Sequence, residues 1–412
     1  MRKIIKSLVL ILMISSTSYA QKFDLLIKNG TLIDVKNSIH SKMDIAILKG
    51  KIAKIELNIP SEQAIKVIDA NGMIITPGLI DLHTHVFFGT ESDAYISNSF
   101  TSVAPDGFTF RSGVTTVVDV GSSGWRNFEI FKEQTIDRSK TRVLSFLNIV
   151  GQGMKGGLHE QNIEDMEPAI TASFAKKYKG VIVGFKLAHF SGNNWDPVDR
   201  VVEAGNLANI PVMIDFGGSK PELSLETLLL EKLRPGDIFT HAYANVKGRT
   251  AIVDAKGKVR PYVFEAQKRG IVFDIGHGGG SFAFKQAIPA MNQGLLPNSL
   301  STDLHTGSMN KGMKDLLNIM SKFLNMNLPL EELIKTVTWS PAQYINRNDL
   351  GHLSIGAVAD LTLLKINKGD FGFVDSKGYK MKGTQKLECE LTIRDGKVVW
   401  DLNGISRPLW TE

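Results

Sequence analysis

The chain predicts an α/β protein: a TIM-like (β/α)8 barrel carrying a small β-sandwich domain built from both chain ends. Three observations lead there. The middle of the chain alternates apolar, β-branched runs with helix-like stretches, the pattern of parallel strands joined by crossover helices. The two ends share a different pattern, short β runs closed by Gly, Asn or Asp. With 412 residues, 43% of them hydrophobic, the chain can form one large barrel and a smaller unit.

Residues 1–20 read as a signal peptide: Arg2, Lys3 and Lys6 make a basic start, Leu8 to Ile14 an apolar core, and Ser18-Tyr-Ala20 a small-x-small cleavage site before Gln21. The apolar core is too short for a membrane span. The expected location is therefore outside the cytoplasm, in a periplasm, with no membrane association after cleavage. Removing the three basic residues takes the net charge from +6 to +3, too mild to argue for nucleic acid. Cys389 is the only cysteine, which excludes an intrachain disulfide and a thiolate-rich metal site.

Residues 21–74 contain the runs Leu25 to Gly30, Asp44 to Gly50 and Lys51 to Ile55. Residues 348–412 repeat the style in Asp360 to Leu364, Cys389 to Ile393 and Gly396 to Trp400. These two segments are assigned to one composite β domain, and 75–347 to the barrel. The barrel strands are expected at the run ending His83-Thr-His85, then Gly113–Asp119, Arg142–Asn148, Gly180–Lys186, Ile210–Asp215, Asp237–His241, Gly270–Gly276 and Ser299–Asp303. Helices are expected at Asn127–Lys140, Pro197–Asn209 and Leu223–Leu233.

Chemistry in such barrels sits at the C-terminal strand ends. Strand one closes on His83 and His85, strand four on Lys186, strand six on His241 and strand eight on Asp303. Residues two apart on a strand share a face, so His83 and His85 form a metal-ligand pair. Burying such polar groups unpaired is costly, and their convergence on one barrel mouth points to a metal site. A lysine among metal-binding groups makes sense only as a neutral amine, which can take up carbon dioxide as a carbamate. His189, three residues past Lys186, is expected to face away. His277, in Gly276-His-Gly-Gly-Gly280, and His305 are open candidates for substrate contact.

The run Gly72-Met-Ile-Ile-Thr-Pro-Gly-Leu-Ile-Asp-Leu-His-Thr-His85 resembles the entry of the amidohydrolase superfamily into its first barrel strand. Val183-Gly-Phe-Lys186 is similar to the position of that superfamily's carboxylated lysine. Ile271 to Phe282 and Ser301 to His305 resemble its deacetylase-like, dihydroorotase-related branch. The resemblance implies two divalent metal ions, zinc by default, bridged by carbamate on Lys186. His83 and His85 would hold one ion and His241 with Asp215 the second, while Asp303 would touch metal and shuttle the proton. Asp215 stands where the superfamily usually has a histidine, so a single ion is the alternative.

The activity implied is metal-dependent hydrolysis of an amide or ester bond, removing an acyl group from a small carboxylate-bearing substrate. Alternatives are a D-aminoacylase or dipeptidase, a cyclic-amide hydrolase of the dihydroorotase kind, and a metal-free binding protein on a dead barrel. A homo-oligomer is compatible with the sequence.

Overall fold

The computed structural model describes residues 22–411 apart from 216 and 218; the predicted signal peptide lies outside the described residues. In chain order the strands are β1 (Leu25–Asp34), β2 (Ile39–Leu48), β3 (Lys51–Glu56), β4 (Val67–Asp69), β5 (Ile74–Pro77), β6 (Leu79–Thr84), β7 (Val114–Gly124) and β8 (Arg142–Asn148). They continue with β9 (Ile182–Leu187), β10 (Val212–Ile214), β11 (Ile238–Phe239), β12 (Val272–Phe273), β13 (Leu361–Val374), β14 (Lys380–Arg394) and β15 (Lys397–Asp401).

These strands form two sheets, and the chain passes from one to the other at Gly78. The first is an eight-stranded mixed sheet in the order β15-β14-β13-β5-β1-β2-β3, with β4 beside β1. Both chain ends contribute, as expected, and β5 is the seam: it pairs parallel with β1 and antiparallel with β13. The expected two-layer sandwich is instead one continuous hydrogen-bonded sheet. Its apolar residues, among them Ile27, Leu32, Ile45, Ile75, Leu361, Leu363 and Leu391, meet in one buried cluster.

The second sheet is curled, parallel and seven-stranded, running from β6 to β12 in sequence order. Its strands are buried on both faces, which explains their mainly apolar, β-branched make-up. Val118, Val120, Leu144, Phe146 and Met213 join one core cluster that draws on every strand of this sheet. Val117, Val143, Leu147, Val212 and Ile214 belong to the larger cluster that also takes in the helices. The helix Asp196–Ala208 shows how a crossover is specified. Pro197 opens it, Val198, Val201 and Ala204 form its buried stripe, and Asn209 ends it in a left-handed conformation. The other two expected helices are short, Phe128–Phe131 and Leu225–Thr227, each continuing into a π-helical turn.

The eighth predicted strand, Ser299–Asp303, is not a strand. It lies between the sheet edges with isolated bridges Asp274–Ser299 and Thr84–Leu304. The Ser299 and Ser301 hydroxyls donate to Asp274, the Thr302 hydroxyl to Asp81, and Asp303 turns left-handed at φ 54°. Buried carboxylates on both sides, Asp81 and Asp274, thus hold the segment by its side chains, in addition to backbone bonds such as Ile275 N–H to the Ser299 carbonyl and Asp303 N–H to that of His83.

Candidate functional site

The carboxyl ends of β6, β9, β10 and β11 and the 299–304 segment bring together most of the predicted side chains. His83 and His85 leave β6 where its register with β7 breaks, between Asp81 and Thr84. Asp303 Oδ1 lies 3.0 Å from His85 Nε2 and 3.6 Å from His83 Nε2. The His83 and His241 rings stand 5.0 Å apart. His83, His241 and Asp303 each offer a ligand atom within 4.8 Å of the others, a spacing that a single cation could close.

The imidazoles are oriented from behind. Thr240 Oγ1 donates to Asp274 Oδ2 at 2.7 Å, so its lone pair must accept from His83 Nδ1, 2.9 Å away. His241 Nδ1 lies 2.6 Å from the Gly276 carbonyl, which only accepts. Both rings therefore carry their proton on Nδ1 and present a bare Nε2 to the centre, the tautomer that binds metal. Burial and cationic neighbours hold His83 well below its ordinary pKa, and burial lowers His241. Gly276 makes this approach feasible: a Cβ there would sit 2.8 Å from His241 Nδ1 and 2.9 Å from His83 Nδ1.

Lys186 shares cross-strand register with Asn148 and Met213 and is 1% exposed. Its Nζ has no hydrogen-bond partner among the described residues. Burial depresses its pKa, against the pull of Asp215, Asp303 and Asp274. A buried, orphaned amine is a costly group to keep, and it fits an amine meant to carry a further ligand group.

Asp215, expected with His241 beside a second ion, lies near His241 and is also paired with an arginine. Its Oδ1 accepts from Arg249 Nη1 at 2.7 Å, and its Oδ2 lies 3.7 Å from both His241 Nε2 and His189 Nε2. His189 does not face away as expected. It adopts φ 58°, which carries its ring back to Asp215, while its Nδ1 bonds Glu160 at 2.6 Å. His305 stands at the mouth, its Nε2 4.0 Å from Asp303 Oδ2. His277 is fully buried, with its Nε2 2.7 Å from Lys322 Nζ. Thr240, Asp274, Arg249 and Glu160 were not singled out by sequence. Only Thr240, preceding His241, and Asp274, within the 271–282 segment, stood next to marked residues.

A curled parallel sheet with histidines and carboxylates gathered at its carboxyl ends defines the barrel-enzyme class. The amidohydrolase family pattern matches residues 283–399. A deacetylase of Brucella anthropi is 35% identical over 355 residues, covering 82% of this chain and 84% of its own. Solved structures described as an adenine deaminase and a dihydroorotase superpose with TM-scores of 0.82 and 0.79, at 27% and 30% identity. Each covers 92% of this chain, and 100% and 99% of its own length respectively. The chain belongs to the amidohydrolase superfamily.

Proposed function

We propose that this protein is a metal-dependent hydrolase of carbon–nitrogen bonds that removes an acyl group, deacetylase-fashion, from a small carboxylate-bearing substrate, esters included. The observation carrying this reading is the gathering of His83, His85, His241 and Asp303 around one point, with the orphaned amine of Lys186 on the same sheet. The residues fit a cation: two imidazoles present bare nitrogens, Asp303 supplies charge, and Lys186, whose burial favours the neutral amine, is placed to carry a carbamate. A bound divalent ion, zinc by default for this donor set, supplies Lewis acidity toward the scissile carbonyl and lowers the pKa of water.

The remaining work falls to the chain. His85 holds the Asp303 carboxylate by its Oδ1 at 3.0 Å, leaving Oδ2 on the side of His305, 4.0 Å away. Asp303 is thereby placed to take a proton from the attacking water and pass it to the leaving group. Burial alone would raise its pKa, but the His85 hydrogen bond and neighbouring imidazoles hold it below the ordinary carboxylate value. It therefore starts as the base. The left-handed backbone of Asp303 and His241 locates strain at the site, where such strain is typically kept.

The deacetylase reading is preferred because that relative aligns along most of both chains. The basic, apolar, small-residue leader supports export to a periplasm. The test is metal analysis of the purified protein together with hydrolysis assays on N-acyl amino acids, acetylated hydroxy acids, dipeptides, cyclic amides and adenine. Release of an acyl acid is expected. Turnover of only cyclic amides or adenine would reassign the reaction, and a metal-free, inactive protein would favour a binding role.

A further inference from the structure

The Asp215–Arg249 pair is the strongest charge feature at the mouth that the proposed chemistry does not use. We propose that the Arg249 guanidinium takes, in charge, the place of a second metal ion: Asp215 is its counter-ion, and the centre formed by His83, His241 and Asp303 binds one divalent cation per chain. The inference rests on the metal-centre reading above.

The geometry is that of a built pair. Arg249 Nη1 meets Asp215 Oδ1 at 2.7 Å, with the two side chains 20% and 5% exposed. In a pair so withdrawn from water, removing either partner would leave the other charge uncompensated. Gly217, at φ 115°, makes the seat: a Cβ there would lie 2.8 Å from Arg249 Cδ and 3.0 Å from its Nε. The residue two beyond Asp215 is therefore shaped to admit this arginine. Burial by itself would raise the Asp215 carboxyl, yet Arg249, followed by His241, His189 and Lys186, holds it far below the carboxylate range.

The chemistry follows from arginine's permanence. A guanidinium cannot lose its proton in a protein, so it neither becomes a ligand nor gives up its charge. A divalent ion on Asp215 Oδ2 would face that fixed charge across a single carboxylate, in a poorly solvated pocket where repulsion is weakly screened. His189, whose Nδ1 is held by Glu160 and whose Nε2 faces Asp215, adds no negative charge of its own to offset that repulsion. With one divalent ion, the charges of Asp303 and a Lys186 carbamate are balanced, and Arg249 balances Asp215. A second divalent ion would leave two positive charges uncompensated.

The test measures metal content by elemental mass spectrometry on full-length protein purified from zinc-supplemented cells. The wild type is expected to hold about one zinc per chain, and Arg249→Gln about two, a doubling, with Asp215 released as a ligand. Arg249→Lys, which keeps the charge, should stay at about one. Two ions in the wild type, or one ion in a folded Arg249→Gln, would overturn the inference while leaving the metal-centre reading intact. No metal in the wild type would overturn that reading and this inference with it. Should Arg249→Gln fail to fold, Asp215→His decides: with Arg249 in place it should remain at about one, and a rise to two would overturn the role given to Arg249.

Discussion

Replacing Lys186 with Met should reverse its effect on stability between metal-free and metal-loaded protein. Lys186 is 1% exposed and its amine makes no hydrogen bond to the described residues. An unsatisfied buried polar group costs about 1–3 kcal/mol. Met has nearly the same length and apolar body, so the exchange adds little packing error. In chelator-treated protein, Lys186→Met should therefore be more stable than wild type by about 1–3 kcal/mol. With metal, the order inverts: wild type gains about 2.7 kcal/mol at a free metal concentration of 100 Kd, and the variant, lacking the amine for a carbamate, gains little. Urea unfolding of both proteins with EDTA and with zinc gives the two differences directly. Lys186→Ala should in parallel lose metal and activity, and a short carboxylic acid with bicarbonate should restore part of both. A Lys186→Met protein less stable than wild type in chelator would refute the reasoning, as would full activity in Lys186→Ala.

Three further expectations can be measured. Asp303→Asn should lower kcat about a hundredfold or more with KM little changed; near-normal turnover would put the proton transfer elsewhere. Gly276→Ala places a methyl 2.5 Å from Thr240 Oγ1 and against the His83 and His241 rings, so metal content should fall sharply, and a variant retaining its full metal would contradict the packing described. Lys322, buried against His277 Nε2 and the Gly312 carbonyl, has its pKa depressed by burial to about 7. Because the folded value lies below the unfolded one, near 10.4, the penalty is full below pH 7 and is relieved as pH rises through that window. At about 1.4 kcal/mol per pH unit of difference, wild type should gain a few kcal/mol between pH 7 and 10 relative to Lys322→Met. Parallel pH profiles for the two urea midpoints would remove Lys322 as the cause.

Much of this protein is determined by local pattern. Two-sided burial writes mainly apolar runs for β6 to β10, and a polar residue ending such a run marks where a strand opens onto solvent or a site. That is how His83, His85, Lys186, His241 and Asp303 were legible, and why the domain shared by both ends could be read from short Gly-closed β runs. What the tertiary structure alone decided concerns groups far apart in sequence. His83 receives its tautomer from Thr240, 157 residues away, and Thr302 is held by Asp81 across 221 residues. Asp215 reads as a metal ligand in the sequence, and only the fold shows that it also pairs with Arg249, 34 residues on. His189 points inward because its backbone turns left-handed, and the 299–303 segment is tied by its hydroxyls to Asp81 and Asp274, residues far away in sequence. Periodicity specifies which face a side chain takes within its own element; which partner it meets there depends on how the elements close around it.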